Sequence, residues 1–79
     1  MELINLTNII VGELLPNIEF KVQKVESEGD TVIQILVPED CMSIVIGKGG
    51  KIANAIRTII QAASYNKKMG RVRVNIDSL

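Results

Sequence analysis

Aromatic residues are almost absent from this 79-residue chain, which has one phenylalanine, Phe20, and one tyrosine, Tyr65. Proteins that bind single-stranded nucleic acid on an aromatic platform stack successive bases on several such side chains. Two aromatic residues are too few for that surface, which argues against RRM-type and OB-type binding. Since hydrophobic residues still make up 47% of the chain, we predict an aliphatic core.

Histidine is absent, and Cys41 is the only cysteine. A single chain therefore cannot assemble a disulfide framework, a zinc cluster or a Cys-His nucleophile. We predict that Cys41 is a small buried hydrophobic residue rather than a reactive thiol. No cofactor is expected. An enzyme is disfavoured because the sequence has no histidine, no nucleophile-base pair and no metal-ligand spacing, although the sequence alone does not exclude catalytic pairs of Asp or Glu.

Long hydrophobic runs are also lacking. None approaches the roughly 20 residues that cross a bilayer, and acidic Glu2 stands where a secretory signal would be basic. We therefore expect a cytoplasmic protein with no membrane partner. The length fits one domain over residues 1–79.

The formal net charge is zero, but the charges are segregated along the chain. Residues 1–40 carry eight acids and two bases, a net charge of −6, whereas residues 41–79 carry seven bases and one acid, a net charge of +6. Such runs can be solvated surface alone. A basic half is nevertheless the minimum electrostatic footprint of a phosphate-binding protein, because local charge sets the field that a ligand meets.

Hydrophobic periodicity predicts a helix and two strands in the first half. Apolar residues spaced three to four apart predict an amphipathic helix over 2–15, which Pro16 ends. Residues 19–26 alternate imperfectly, as in an edge strand, and residues 31–37 are β-branched and nearly continuous in apolar character, as in a central strand.

The second half predicts two helices and a strand. A short helix begins at Glu39 or Asp40, either of which could be its N-cap, and ends at Ile46. A longer helix runs from Lys51 to a point between 65 and 69, where Lys67 and Lys68 suit the negative end of its dipole and Gly70 stops it. Residues 71–77 alternate strictly, as in a half-buried strand.

The predicted order is therefore α-β-β-α-α-β, an α+β fold. The last two strands are joined by a helical crossover, so they can lie parallel in a three-stranded mixed sheet. We expect the helices to pack on one face of that sheet.

A glycine turn, Gly47-Lys48-Gly49-Gly50, separates the two later helices. The second helix would offer unpaired amides and a positive dipole end to an anion, glycines would allow close approach, and Lys48 would add a charge. The alternative is that these glycines only permit a tight turn between helices. A Walker A loop is excluded because neither Gly-Lys pair precedes Ser or Thr, and a dinucleotide fingerprint is excluded because position 52 is isoleucine.

The stretch from Ile44 to Lys51, I-V-I-G-K-G-G-K, resembles the I-G-x-x-G signature of KH domains. The element order resembles the type II, or bacterial, KH arrangement. Together with the chain length and the final V-R-V strand, these features resemble the small stand-alone bacterial KH proteins of the KhpA family. The resemblance implies that residues 1–30 form an extension and residues 31–77 the β-α-α-β core.

In KH domains the G-x-x-G loop clamps about four nucleotides of single-stranded RNA, and an apolar groove accepts the bases. The resemblance thus implies that RNA contacts come from Gly47, Lys48, Gly49, Gly50 and Lys51, to which we add Arg57. It implies a groove wall of Met42, Val45, Ile46, Ala53 and Ile56. Core packing is the alternative for each wall residue, and a solvated position is the alternative for Arg57. Ile44 and Gly49 depart from the basic or polar residues of many relatives.

The resemblance also implies partners: single-stranded RNA, a second copy of the chain, and a larger KH-containing RNA-binding protein. An RNA chaperone or post-transcriptional regulator, linked to cell shape, is the implied role, with no small-molecule substrate. The competing hypothesis is a module for protein interaction that binds RNA weakly or not at all. Three isoleucines crowded on one helix, Ile52, Ile59 and Ile60, favour a shared surface.

Overall fold

Three α-helices and three β-strands follow one another in the order α-β-β-α-α-β, as predicted. The computed structural model describes residues 2–66 and 70–79. Two 3₁₀ turns flank the second α-helix. The elements are α1 (Leu3–Leu14), β1 (Lys21–Ser27), β2 (Asp30–Val37), a 3₁₀ turn (Glu39–Cys41), α2 (Met42–Ile46), a second 3₁₀ turn (Lys48–Gly50), α3 (Lys51–Asn66) and β3 (Arg71–Ser78).

The strands form one mixed sheet in the order β1-β2-β3. Strand β1 pairs antiparallel with β2, with Lys21 opposite Leu36, and β2 pairs parallel with β3, with Ile33 opposite Val74. The two helices α2 and α3 make the crossover that a parallel connection requires. Strand β3 therefore lies at an edge of the sheet, where one side of its backbone has no strand neighbour among residues 2–66 and 70–79.

One face of the sheet is buried. Alternate residues of the central strand β2 point inward and are buried: Thr31, Ile33, Ile35 and Val37. The helices cover this face, as predicted, while Val25 on the opposite face of β1 is 49% exposed. The break in alternation within β1 therefore reflects one valine facing the core, Val22, and one facing solvent.

Helix α1 buries a row of residues spaced four apart, Leu3, Thr7, Val11 and Leu15 just after its end. The sequence prediction placed the leucines and valine in the apolar stripe but not Thr7, which is fully buried. Its hydroxyl Oγ1 donates a hydrogen bond to the Leu3 carbonyl at 2.7 Å. Because this internal bond satisfies the polar group, the threonine can lie in an apolar environment.

The segment before the glycine turn differs from its prediction. Residues 39–41 form a 3₁₀ turn, and the α-helix that follows has only five residues, Met42–Ile46. Pro38 occupies the N-cap position, so neither Glu39 nor Asp40 is the cap; both acids lie in the first turn. Cys41 is buried, as predicted, and this burial, together with neighbouring Asp40, raises the pKa of its thiol.

The predicted end of α3 at Lys67 and Lys68 lies outside the described residues. Within residues 2–66 and 70–79, no helix has the length and apolar character needed to cross a membrane.

Candidate functional site

The glycine turn between α2 and α3 begins at a position where only glycine fits. Gly47 has φ 78° and ψ 171°, a region that side chains disfavour. A Cβ atom added there would lie 2.7 Å from Cγ1 of Ile52 and 2.9 Å from its backbone nitrogen. Gly47 therefore allows the first turn of α3 to pack directly against the end of α2.

The tip of the turn is open. Gly49 adopts the left-handed conformation at φ 66° and ψ 19°, and a Cβ atom there or at Gly50 would have no neighbour within 4 Å. Lys48 and Gly49 are both exposed. A ligand can therefore reach the backbone at the tip without displacing protein atoms.

Several amides of the turn are already paired, which differs from the expectation of unpaired amides at the start of α3. The amide of Gly47 donates to the Ser43 carbonyl at 2.9 Å, and the amide of Gly50 donates to the Gly47 carbonyl at 3.1 Å. The Lys51 amide donates to the Lys48 carbonyl. The positive potential at this turn therefore comes mainly from the lysine side chains and from the dipole of α3.

A groove of about 420 Å³ lies between the glycine turn, the first half of α3 and the edge strand β3. Four lining residues come from the helical side: Ile46, Gly50, Ala53 and Arg57. The other four come from the sheet: Gln34, Asn75, Ile76 and Asp77. Grooves of roughly 300–1,000 Å³ are typical of sites for small ligands.

The structure brings part of the sequence-predicted site together at this groove. Ile46, Gly50, Ala53 and Arg57 line it. The rest of the predicted wall lies elsewhere: Val45 and Ile56 are buried in the core and Met42 packs against that core. Lys51 and Ile56 also contribute to a second groove, between α1 and α3.

Sequence reasoning missed the sheet side of the groove. Strict alternation in 71–77 already indicated that Asn75 and Asp77 point away from the core. What it could not indicate is that β3 lies at the sheet edge beside the glycine turn, because that position depends on the strand order.

Arg57 connects α3 to the free edge of β3. Its Nε donates to the Val74 carbonyl at 3.4 Å, and its Nη1 donates to Oδ1 of Asn54 at 3.0 Å. The side chain is half-buried and lines the groove. Asn54, one turn earlier on the same helix, thus helps to hold the guanidinium of Arg57 in place.

Asp77 lies across the groove on the strand side. Its Oδ1 accepts a hydrogen bond from the backbone amide of Ser78 at 2.8 Å. The residue is exposed. A negative group thus stands in the same groove as the guanidinium of Arg57, and the two form no salt bridge within 4.0 Å in the described part of the chain.

The second groove, about 520 Å³, is mostly apolar. Its lining residues are Ile9, Ile10, Glu13, Leu14, Lys51, Ile52, Ala55, Ile56 and Ile59. Ile9 is 52% exposed and Ile59 is 47% exposed. Of the three isoleucines predicted to form a shared surface, Ile52 and Ile59 lie here, whereas Ile60 is fully buried in the core.

No group of three or more His, Cys, Asp or Glu side chains is close enough to hold a metal ion within residues 2–66 and 70–79.

Comparison with known proteins agrees with the sequence signature. A family model described as KhpA/KhpB, KH domain, matches residues 6–76. The protein named RNA-binding protein KhpA of Clostridium acetobutylicum is 43% identical over 58 residues, which cover 73% of this chain and 76% of that one. The protein of the same name from Clostridium perfringens is 39% identical over 67 residues, covering 81% and 89%.

Solved structures show a similar fold in part of a larger protein. An Era variant of Aquifex aeolicus bound to GDP.AlF4- superposes with a TM-score of 0.64 at 20% identity, over 100% of this chain and 32% of Era. Era in complex with MgGDPNP and nucleotides 1506–1542 of 16S ribosomal RNA gives a TM-score of 0.61 at 18% identity, again over 100% and 32%. The chain spans about a third of each Era chain, and at these identities the likeness shows the fold alone.

The family match covers most of the chain, the relatives are about 40% identical, and the element order is that of a KH fold. This chain therefore belongs to the KhpA/KhpB family of KH domains.

Proposed function

We propose that the chain binds single-stranded RNA, with the glycine turn gripping the RNA backbone and the groove beside β3 accepting a base. The observation that carries this proposal is the groove of about 420 Å³, which opens between the exposed glycine turn and the free edge of a strand. Binding of this kind suits an RNA chaperone or post-transcriptional regulator. The curated relatives that bear the name RNA-binding protein KhpA support it.

The turn has the properties that a phosphodiester backbone requires. Lys48 and Lys51 are exposed cations at the start of a 16-residue helix, whose dipole also favours an anion at this end. The open space at Gly49 lets a phosphate approach the main chain. Because amides of Gly50 and Lys51 are paired internally, the side chain of Lys48 supplies the principal contact.

The groove has the properties that a base requires. Ile46, Ala53 and Ile76 provide apolar surface for the faces of the ring, and Arg57 and the polar strand residues surround that surface. Single-stranded RNA is recognised through such contacts to unstacked bases.

The test is a charge reversal at the tip, Lys48→Asp with Gly49→Asp. Two negative charges beside the RNA backbone are expected to weaken binding of a short single-stranded RNA by roughly tenfold or more, measured by fluorescence anisotropy. Aspartate tolerates the left-handed conformation of residue 49, so the fold is expected to persist.

The matched control is Lys48→Asn with Gly49→Asn, which places side chains of the same shape at both positions without negative charge. This control is expected to lose much less affinity than the aspartate variant. Equal affinity of the aspartate variant and the wild type, with both folded, would remove the turn from the RNA site.

A second function, self-association, is favoured by the apolar groove between α1 and α3. Its exposed isoleucines, Ile9 and Ile59, would be covered by a second copy of the chain. Glu13 and Lys51 line the same groove, so a two-fold arrangement can set the acid of one copy against the base of the other. A larger KH-containing partner would use the same surface in a heteromer.

Ile59→Asp tests this second function, because it places a charge at an exposed residue of the apolar groove. We expect the variant to sediment as a monomer at concentrations where the wild type is a dimer. Tyr65→Asp is the matched control, since Tyr65 lies on the same helix, is 84% exposed and does not line the groove. A wild-type chain that remains monomeric at high concentration would overturn self-association.

A further inference from the structure

We propose that the groove beside β3 selects guanine, with Arg57 and Asp77 contacting two different edges of one base. This inference rests on the proposed function, because it concerns the base held in the RNA groove. It starts from the carboxylate of Asp77, which is unexpected in a site for a polyanion.

A carboxylate repels phosphates and can only accept hydrogen bonds. The hydrogen-bond donors of single-stranded RNA are the amino and imino groups of its bases and the 2′-hydroxyl groups. In a groove that holds RNA, Asp77 therefore contributes to binding by accepting from such donors.

The side chain of Asp77 is held at the groove edge of β3. The amide of Leu79 donates to the Val37 carbonyl of β2, so in an extended strand the amide of the preceding residue, Ser78, faces the opposite, free edge. That Ser78 amide donates to Oδ1 of Asp77. Because a carboxylate has about four acceptor positions, most of its capacity remains for a ligand.

Arg57 supplies the complementary donors. Its Nε and one Nη1 hydrogen are engaged by Val74 and Asn54. Within the described residues no further acceptor contacts the guanidinium, which leaves Nη2 and the second Nη1 hydrogen for a ligand. The two protein contacts fix the plane of the guanidinium, and such a fork fits two adjacent acceptors on a base.

Guanine matches both groups. Its O6 and N7 are adjacent acceptors that arginine contacts through two bonds, and its N1–H and N2–H₂ are adjacent donors for a carboxylate. Adenine and cytosine each present one amino group beside a ring acceptor, and uracil presents one imino donor. Only guanine therefore satisfies the arginine and the aspartate at once, which confers a preference at one nucleotide and little preference elsewhere.

The experiment measures binding of the wild-type protein to oligouridines of roughly six nucleotides that carry one central substitution. The guanosine oligonucleotide is expected to bind roughly tenfold tighter than the adenosine or cytidine versions. Inosine, which lacks the N2 amino group, and 7-deazaguanosine, which lacks the N7 acceptor, are each expected to lose several-fold. A 2′-deoxyguanosine substitution is expected to retain the preference, and its loss there would assign Asp77 to the 2′-hydroxyl and overturn the inference.

Two variants connect the preference to its residues. Asp77→Asn keeps an oxygen for the Ser78 amide but removes the charge, so it is expected to bind oligouridine more tightly while the preference for guanosine over inosine disappears. Arg57→Lys keeps the charge but removes the fork, and is expected to abolish the difference between guanosine and 7-deazaguanosine. Asp30→Asn, at an exposed carboxylate of β2 outside the groove, is the control and is expected to retain both preferences.

The outcomes separate this inference from the proposed function. If all substituted oligonucleotides bind equally, and the Lys48→Asp, Gly49→Asp variant binds none of them, RNA binding stands and guanine selection is wrong. If the wild type binds no oligonucleotide, both are wrong. A guanosine preference that survives Asp77→Asn would also overturn the role assigned to the aspartate.

Discussion

At the scale of single residues, the first glycine and the tip glycine of the G-K-G-G turn have different structural roles. Gly47 is needed because both its φ angle and the proximity of Ile52 exclude a side chain. Gly49 is needed only for its φ angle, since the space around it is open. The first glycine therefore serves the packing of two helices, whereas the open tip remains available to a ligand.

This difference predicts an order of stabilities. Gly47→Ala forces Ile52 or the helix to shift and is expected to lower the free energy of unfolding by about 2–4 kcal/mol, combining backbone strain with overpacking. Gly49→Ala adds only left-handed strain and is expected to cost about 1 kcal/mol. Urea denaturation of the two variants measures both values. Equal losses would mean that the contact with Ile52 relaxes at little cost.

Prediction of single residues from the sequence succeeded where the chemistry of the side chain determines its position, and failed where neighbouring residues determine it. Cys41 is buried, as its chemistry indicated. Thr7 can be buried because its hydroxyl donates a hydrogen bond to the carbonyl four residues earlier, an arrangement that residue type does not reveal. Neither Glu39 nor Asp40 is an N-cap, because the chain enters a 3₁₀ turn directly after Pro38.

At the scale of elements, the three strands divide the molecule into a buried face and an open face. All six predicted elements exist, because apolar spacing along each one reports which side meets the core. The candidate groove was only half predicted. Its helical side follows from the glycine signature, but its strand side depends on which strand occupies the edge, and strand order comes from long-range pairing.

The two faces of the sheet predict contrasting effects of the same kind of truncation. Ile33 is fully buried at the centre of β2, so Ile33→Ala is expected to lower the free energy of unfolding by about 2–5 kcal/mol. Val25 on the open face is 49% exposed, so Val25→Ala is expected to change it by less than about 1 kcal/mol. Thermal or urea denaturation compares the pair. A large loss at Val25 would instead indicate that the open face is covered, for example by another copy of the chain.

At the scale of the whole molecule, a net charge of zero combines an acidic and a basic half. Arg57 lines the groove beside β3, and Lys48 and Lys51 lie at the glycine turn and the start of α3, which limits how many phosphates one domain can engage. The net charge of −6 on residues 1–40 provides no further attraction for the RNA backbone. A short contact with the backbone is therefore the electrostatic expectation.

A short contact predicts a modest dependence on salt. With about three or four phosphates engaged, the slope of log K against log salt concentration is expected to be about −2 to −3. Anisotropy titrations of one short RNA at several salt concentrations give this slope. A slope of about −5 or steeper would mean that basic residues outside the turn and groove, such as Arg71 and Arg73, also bind phosphates.

The bond from Arg57 to the Val74 carbonyl has a consequence beyond ligand binding. Exposed strand edges invite other polypeptides to add a further strand, a common route to aggregation. Here the guanidinium of Arg57 donates to the Val74 carbonyl on that edge and the carboxylate of Asp77 accepts from the Ser78 amide, so two of the backbone groups that an incoming strand would use are already bonded. These two bonds thus hinder β-sheet extension at two positions of the edge. A substitution that removes either bond, Arg57→Ala or Asp77→Ala, is expected to increase aggregation, measured by light scattering, as well as to alter what the protein binds.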